Sequence, residues 1–205
     1  ELIPVDSEHF SILKLFENTK LDKIEKVYLT ASGGPFLGFK LKQLLKIKPR
    51  HALKHPKWNM GNKISIDSST LMNKVLEYIE AQKLFNISRY KLDILIHPES
   101  KVHAVVKFKN GITKFIYHET SMIVPIANAI FNDDLKIDNF LKNKKNIENL
   151  TFEIPDKNNF PIMKILHKVN EHPSTPIILN ASNEVLVDSF LRKKLPFLGI
   201  TIIID

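Results

Sequence analysis

The chain has 205 residues, of which 43% are hydrophobic and 25% are charged, and it lacks cysteine, which excludes disulfide bonds, thiolate metal sites and a cysteine nucleophile. Its formal net charge is +8, but only three of its 30 basic residues are arginine, on which specific DNA readers depend, so we expect no nucleic-acid partner. We also expect no membrane partner, because no apolar run approaches the roughly 20 residues that span a bilayer.

The first third of the chain is predicted to form a strand, a turn, a surface helix and a loop. Residues 27–30 predict a short strand that runs into a Gly-Gly-Pro turn at residues 33–35. Leucines at helical spacing in the lysine-rich residues 40–48 predict a surface helix. Residues 51–63 contain a proline, a glycine and the only tryptophan without clean periodicity, and therefore predict a loop.

The clearest predicted element is an amphipathic helix near the middle of the chain. Asp67 and Ser68 are good N-cap residues for it. Its apolar residues then recur at positions i, i+3, i+4 and i+7, namely Met72, Val75, Leu76 and Ile79.

The second half begins with strands and ends with helix. A buried strand is predicted to end at His97-Pro98, and two β-rich runs about Asn110-Gly111 predict a hairpin. Residues 132–159 are polar and predict a linker or excursion. The remainder predicts helix, capped at Asn180 or Ser182 and running to about Lys194. The predicted fold class is α+β, a central sheet with a β-hairpin covered by helices and followed by a helical segment.

The first candidate site is the pair of carboxylates Asp6 and Glu8. In an extended segment, residues i and i+2 point to the same side, so both carboxylates can converge on one point. Such a pair is costly unless a cation neutralises it or one member keeps a proton, and hard oxygen ligands favour magnesium or manganese. Two solvated loop charges remain the alternative interpretation.

The predicted helix carries a second candidate site. Asn73, Glu77 and Glu80 share one face, with Lys74 beside them. Ser68 and Ser69 lie at its predicted N-terminus, where free N–H groups favour an anion such as phosphate. The alternative is a capped helix with a polar outer face.

Three further segments could contribute to chemistry. Ser32 follows a strand and precedes two glycines, so its hydroxyl could reach a phosphate oxygen, although a simple turn explains the pattern equally well. Trp58 and Met60 lie on a predicted loop that could close over a ligand, or Trp58 could pack into the core. Ser100 and His103 lie near a strand end beside His97, where histidines are usually hydrogen-bonded bystanders.

The order of these motifs is more informative than any one of them. The chain contains D-S-E-H, S-G-G-P-F, K-H-P-x-W-x-M-G, I-D-S-S-T-x-M-N-K-x-x-E, H-P-x-S-x-x-H and L-N-A-S-N-E in succession. In this order they resemble the 1-deoxy-D-xylulose 5-phosphate reductoisomerase family over essentially the whole chain. The third and fourth motifs are the most specific to that family.

The resemblance implies an enzyme that rearranges 1-deoxy-D-xylulose 5-phosphate and reduces the product with NADPH to 2-C-methyl-D-erythritol 4-phosphate, the committed entry to non-mevalonate isoprenoid synthesis. It implies a catalytic domain at residues 1–131 and the start of a helical domain at residues 160–205. No G-x-G-x-x-G fingerprint is present, so NADPH is expected to bind mainly to an N-terminal domain outside this chain, and the chain alone is expected to be inactive.

The resemblance also assigns roles to individual residues. Metal ligands for Mg²⁺ or Mn²⁺ are Asp6, Glu8 and Glu77. Ser7, Ser100 and His103 are assigned to the catalytic centre. The phosphate pocket is assigned to Ser32, His55, Ser68, Asn73 and Lys74, and a flap over the substrate to Trp58 and Met60.

The resemblance further implies a homodimer in the full-length enzyme, located in the cytoplasm of a bacterium or in a plastid of a eukaryote. A non-catalytic module that binds a metal or a phosphosugar remains the alternative function.

Overall fold

The computed structural model describes residues 2–58, 60–131 and 149–205, and within them four strands form one mixed sheet. The strands are β1 (Ile24–Ala31), β2 (Leu92–Ile96), β3 (Val102–Phe108) and β4 (Thr113–Tyr117). Their order is β2-β1-β3-β4; β1 pairs parallel with β2, and the other neighbours are antiparallel. This sheet confirms the predicted α+β class, the strand that ends before His97 and the hairpin about Asn110-Gly111.

Helices occur throughout the described residues, and none of those helices is long and apolar enough to cross a membrane. The α-helices are α1 (Ser7–Phe16), α2 (Leu41–Leu44), α3 (Pro49–Ala52), α4 (Asn62–Thr70), α5 (Met72–Phe85), α6 (Ile123–Phe131), α7 (Thr175–Leu191) and α8 (Phe197–Ile204). Short 3₁₀ helices span Leu21–Lys23, Gly34–Phe36 and Pro161–His167.

Two apolar clusters hold these elements together. In the larger one, α1 packs against β3 and β4 while α5 packs against β1 and β2. The smaller cluster joins the segment that includes Phe36 and Ile66 to α7 and α8, through residues such as Phe190 and Phe197. Burial of these side chains stabilises the fold by about 1.5–3 kcal/mol each, and the second cluster fixes the helical C-terminal region against α4.

The single helix predicted from Asp67 or Ser68 is in fact two helices. Ser68 lies in the last turn of α4, and α5 begins four residues later, after Leu71. Leu71 is buried and adopts a left-handed conformation, with φ of 66°. The cap prediction was therefore wrong, because the residues before Asp67 are also helical and the break falls at a leucine that carries no turn signature.

Two other predicted helices have different bounds in the structure. The surface helix predicted for residues 40–48 is reduced to the single turn of α2. The last predicted helix begins earlier, with Pro176 in its first turn, so that Asn180 and Ser182 lie inside α7 rather than at its cap. It ends at Leu191 instead of Lys194, before Lys193, whose φ is 62°.

The predicted linker at residues 132–159 is only partly described, since residues 132–148 lie outside the described residues. Its later part contacts the sheet: the N–H of Ile96 donates to the Glu153 carbonyl at 2.8 Å, and the reverse bond is 2.9 Å. This segment therefore extends the β2 edge of the sheet.

Gly34 is predicted to be essential for packing of the Gly-Gly turn onto α4. Its φ is +64°, and a Cβ atom there would lie 2.8 Å from the Ser68 carbonyl oxygen. We expect Gly34→Ala to destabilise the protein by about 3 kcal/mol, combining left-handed strain with overpacking. Urea denaturation measures this loss.

The matched control for that substitution is Gly38→Ala. Gly38 has a similar φ of +79°, but a Cβ there would meet no atom within 4 Å. Only the conformational cost of about 1 kcal/mol is expected. Equal destabilisation by the two substitutions would show that the contact with α4 contributes nothing.

Candidate metal and phosphate site

A cavity of about 290 Å³ lies at the C-terminal end of β1, beside the start of β3 and the first turns of α1 and α5. Every residue to which the resemblance assigned a role lines this cavity: Asp6, Ser7, Glu8, Ser32, His55, Trp58, Met60, Ser68, Asn73, Lys74, Glu77, Ser100 and His103. Ser69 and Glu80, which the helical pattern also placed in the second candidate site, do not line it. These residues come from segments far apart in the sequence, so the fold brings the predicted set together. Their individual roles stay predictions.

Three carboxylates converge on one side of the cavity. Asp6, Glu8 and Glu77 each offer an oxygen atom, and these atoms all lie within 4.8 Å of one another. Asp6 is the N-cap of α1, where its Oδ1 accepts from the N–H groups of Glu8 and His9, each at 3.1 Å. The extended geometry assumed for Asp6 and Glu8 was thus wrong, because Glu8 lies in the first helical turn.

Lys74 lies among these carboxylates. Its Nζ donates to Glu8 Oε1 at 2.7 Å and to Glu77 Oε2 at 2.6 Å, and all three side chains are largely buried. Ser7 Oγ donates to the other oxygen of Glu8 at 2.6 Å. The ammonium predicted for the phosphate pocket therefore contacts the predicted metal ligands.

The electrostatics of the cluster show an excess of negative charge. Burial and the nearby Glu8 raise the pKa of Asp6 to about 6. Burial alone would raise the pKa of Glu8, but Lys74, together with His103 and the hydrogen bond from Ser7, lowers that pKa to about 2. Burial and repulsion by Asp6 and Glu8 raise the pKa of Glu77 well above its usual value, since one ammonium cannot balance three carboxylates.

This donor set fits a hard divalent cation. All the candidate ligand atoms are carboxylate oxygens, which Mg²⁺ and Mn²⁺ prefer. A doubly charged ion would also neutralise the charge that Lys74 leaves unbalanced. The remaining wall of the cavity differs in character, since it presents hydroxyl and imidazole groups rather than acids.

Hydrogen bonds fix the proton positions of Ser32 and His55 on that wall. Nδ1 of His55 accepts from the N–H groups of Trp58 and Lys57, at 2.8 and 3.1 Å. Burial lowers the pKa of His55, so the neutral ring carries its proton on Nε2 and donates to Ser32 Oγ at 3.0 Å. Ser32 Oγ also accepts from Gly34 N–H at 3.0 Å, which leaves its own hydroxyl proton for a ligand.

Of two predicted phosphate residues, Ser68 lies elsewhere than the sequence indicated, whereas Asn73 shares a helix face with Glu77 as predicted. Ser68 lines the cavity from the last turn of α4, so the argument that placed it at a helix N-terminus was wrong. Asn73 lies in the first turn of α5, where its amide N–H donates to Glu77 Oε1. Asn73 therefore orients a predicted metal ligand in this structure.

His103 enters the cavity because of a β-bulge. Val102 and Ala104 pair with the adjacent residues Tyr117 and Ile116, so His103 is the extra residue on β3. Its ring stacks on His118 with centroids 3.8 Å apart, and burial, with His118, lowers its pKa to about 3. His103 is therefore neutral at physiological pH.

Ser100 and His103 share one property that points to a ligand. Among the described residues, Ser100 Oγ and His103 Nε2 are buried polar atoms without a hydrogen-bond partner, and both side chains line the cavity. Buried polar groups normally have partners, so these two atoms are available to polar groups of a substrate.

The flap residues and several residues absent from the prediction complete the cavity. Trp58 and Met60 line it, and the Trp58 ring lies 6.1 Å from the His103 ring. His97, Ile64 and Met122 also line it. From the sequence, His97 was expected to be a hydrogen-bonded residue without a role in the site. Met122 follows the hairpin in a segment without a motif, so no sequence signal could have identified it.

Comparison with known protein families identifies the chain. A sequence model of the 1-deoxy-D-xylulose 5-phosphate reductoisomerase C-terminal domain matches residues 2–85, and a model of the DXP reductoisomerase C-terminal domain matches residues 118–205. The chain belongs to the 1-deoxy-D-xylulose 5-phosphate reductoisomerase family.

Individual reductoisomerases show the same relationship. That of Pelagibacter ubique is 48% identical over 197 residues, which cover 95% of this chain and 51% of the relative. That of a Wolbachia species associated with Drosophila simulans is 44% identical over 210 residues, covering 100% of this chain and 54% of the relative. The chain thus spans about half the length of the curated relatives it matches.

Solved reductoisomerase structures share the fold. A crystal structure of DOX-P reductoisomerase in complex with NADPH, fosmidomycin and magnesium superposes with a TM-score of 0.90 at 34% identity, covering 98% of this chain and 52% of that one. The Zymomonas mobilis reductoisomerase in complex with NADPH gives a TM-score of 0.85 with the same identity and coverage.

Proposed function

We propose that the protein carrying this chain converts 1-deoxy-D-xylulose 5-phosphate to 2-C-methyl-D-erythritol 4-phosphate, in non-mevalonate isoprenoid synthesis. The observation that carries the proposal is one cavity with three carboxylates on one side and uncharged hydrogen-bond donors on the other. Family membership supports a reductoisomerase and gives no support to a non-catalytic binding module.

Each group of residues has a part in this reaction. Asp6, Glu8 and Glu77 would hold Mg²⁺ or Mn²⁺, which when bound polarises a substrate carbonyl and stabilises negative charge on oxygen. The Ser32 hydroxyl, whose proton is free, donates to the substrate phosphate, with Ser68 beside it. Binding of that phosphate orients the reacting carbon atoms towards the carboxylate side of the cavity.

The remaining cavity residues act on the sugar. Ser100 Oγ and His103 Nε2 are the buried atoms that can bond to its hydroxyl or carbonyl oxygens. Because His103 is neutral, it serves as a hydrogen-bonding group rather than a cationic one. Trp58 and Met60 exclude water from the substrate.

The proposal extends to the parts of the enzyme outside this chain. NADPH, present in complexes of two related structures, is held mainly by a domain that this chain does not include. We propose a homodimer, which the family resemblance implies, and a place in the bacterial cytoplasm, since the relatives named above are bacterial. We also propose use of Mn²⁺ as well as Mg²⁺, which the all-oxygen donor set supports.

The proposal is tested by NADPH oxidation in the full-length protein. We expect consumption of NADPH that requires both 1-deoxy-D-xylulose 5-phosphate and a divalent cation, and that stops when a chelator is added. Ser32→Ala provides a second arm and is expected to raise the Michaelis constant for the phosphosugar about tenfold, because one bond to a charged phosphate is lost. Divalent-metal binding without any turnover would favour the binding module instead.

A further inference from the structure

The turn that carries Ser68 is connected to the C-terminal helical region by one buried polar contact. Asn183, on α7, is fully buried, and its Nδ2 donates to Asp67 Oδ1 at 2.8 Å. The other oxygen of Asp67 accepts from Lys63 Nζ at 2.8 Å. Asp67 is itself 2% exposed and immediately precedes Ser68.

Asn183 interrupts an otherwise apolar stripe of α7. The buried residues of this helix are Leu179, Asn183, Val187 and Phe190, which follow helical spacing. Leu179 belongs to the larger apolar cluster, whereas Val187 and Phe190 belong to the smaller one, so the amide lies between the two.

Asn183 satisfies only part of its own hydrogen-bonding capacity. A carboxylate only accepts hydrogen bonds, so the amide nitrogen must face Asp67, and Asn183 Oδ1 is left buried without a partner among the described residues. Such a group costs stability. The contribution of the amide is therefore positional, because its hydrogen bond fixes where the carboxylate of Asp67 lies.

The same turn is held from its other side by Gly34. The backbone there approaches the Ser68 carbonyl so closely that a Cβ would lie 2.8 Å from it. Gly34 N–H also donates to Ser32 Oγ at 3.0 Å. The spacing between Ser32 and Ser68 thus depends on two contacts, one from the glycine turn and one from α7.

We infer that Asn183 is a positioning residue for the phosphate end of the cavity, which acts by holding Asp67 and thereby sets the location of Ser68 relative to Ser32. This inference rests on the proposed function. It extends the site to a helix that does not contribute a lining residue to the cavity, and it makes phosphate binding depend on how the helical C-terminal region docks.

The test is Asn183→Leu in the full-length enzyme, compared with Val187→Ala. We expect Asn183→Leu to raise the Michaelis constant for 1-deoxy-D-xylulose 5-phosphate about tenfold. We expect kcat to change less than about threefold, since the substitution weakens binding of the phosphate and leaves the reacting groups in place. Val187 lies one turn later on the same buried stripe, and its apolar side chain makes no hydrogen bond to Asp67. Val187→Ala is expected to lower the melting temperature by several degrees without raising the Michaelis constant.

A double substitution provides the rescue. In Asp67→Asn with Asn183→Asp, the new amide can donate to the new carboxylate while its oxygen still accepts from Lys63. We expect the Michaelis constant of this double variant to lie within about threefold of the wild-type value, in contrast to that of Asn183→Leu. If Asn183→Leu and Val187→Ala change the Michaelis constant equally, or if the double variant shows no recovery, Asn183 has only a structural role.

Amide hydrogen exchange separates this inference from the proposed function. We expect Asn183→Leu to speed exchange at residues 68–70 about tenfold more than Val187→Ala does, whether or not the protein turns over this substrate. An inactive wild type that shows this difference would reject the reaction and keep the positioning contact. Equal exchange rates in the two variants would overturn the inference even in an active enzyme.

Discussion

Replacing Glu77 with glutamine is expected to weaken binding of Mn²⁺ or Mg²⁺ on the order of 100-fold or more and to abolish metal-dependent turnover. Glu77 is one of three carboxylates whose oxygens lie within 4.8 Å of one another, and it is almost fully buried. An amide keeps the shape of the side chain but removes one charge, and the charge of the ligands sets affinity for hard cations. Calorimetric titration of the protein with Mn²⁺ measures the change.

Glu80→Gln is the matched control. Glu80 lies one turn further along α5, and its side chain is 58% exposed. Its carboxylate lies 3.7 Å from His9 Nδ1 and is not one of the three clustered carboxylates. Glu80→Gln removes the same charge from the same helix, so metal affinity should change by less than about threefold. If Glu77→Gln leaves Mn²⁺ affinity unchanged, the cluster is not the metal site.

Replacing Lys74 with methionine is expected to destabilise the metal-free protein by about 3–5 kcal/mol, because it leaves buried carboxylates without their cation. This corresponds to a fall in melting temperature of about 10 °C for a protein of this size. Added Mg²⁺ should raise the melting temperature of the variant more than that of the wild type, since the ion takes over the balancing charge. Thermal unfolding with and without Mg²⁺ measures both effects.

A double variant shows whether charge balance is the cause. Lys74→Met combined with Glu77→Gln removes one carboxylate together with the ammonium, so part of the stability lost in Lys74→Met should return. A double variant as unstable as the sum of its parts would mean that Lys74 acts through packing of its chain. A normal melting temperature in Lys74→Met, with a raised Michaelis constant for the phosphosugar, would instead favour the phosphate role that the family motif assigns.

Much of the site could be predicted from the sequence because its residues lie in short motifs. Asp6 and Glu8 were predicted to converge, but for the wrong local reason, since the helix N-cap rather than an extended segment places them together. The contact with Glu77 could not follow from periodicity, because it depends on how α1 and α5 pack against each other and against the sheet.

Local patterns failed where tertiary structure determines the backbone. The bulge that places His103 in the cavity leaves no local signature, since no glycine or proline marks it within Val102–Phe108. The two-helix arrangement around Leu71 was missed for a similar reason. The contact between Asp67 and Asn183 joins residues 116 positions apart and has no counterpart in any local motif.

The left-handed backbone at Leu71 has a consequence for protein engineering. A continuous helix would hold positions 68 and 77 about 13 Å apart along one straight axis, whereas the break lets each half point in its own direction. A non-glycine residue in this conformation costs about 1 kcal/mol. Designers who straighten the segment to gain thermostability would recover that energy and misalign the proposed phosphate side of the cavity with its carboxylate side.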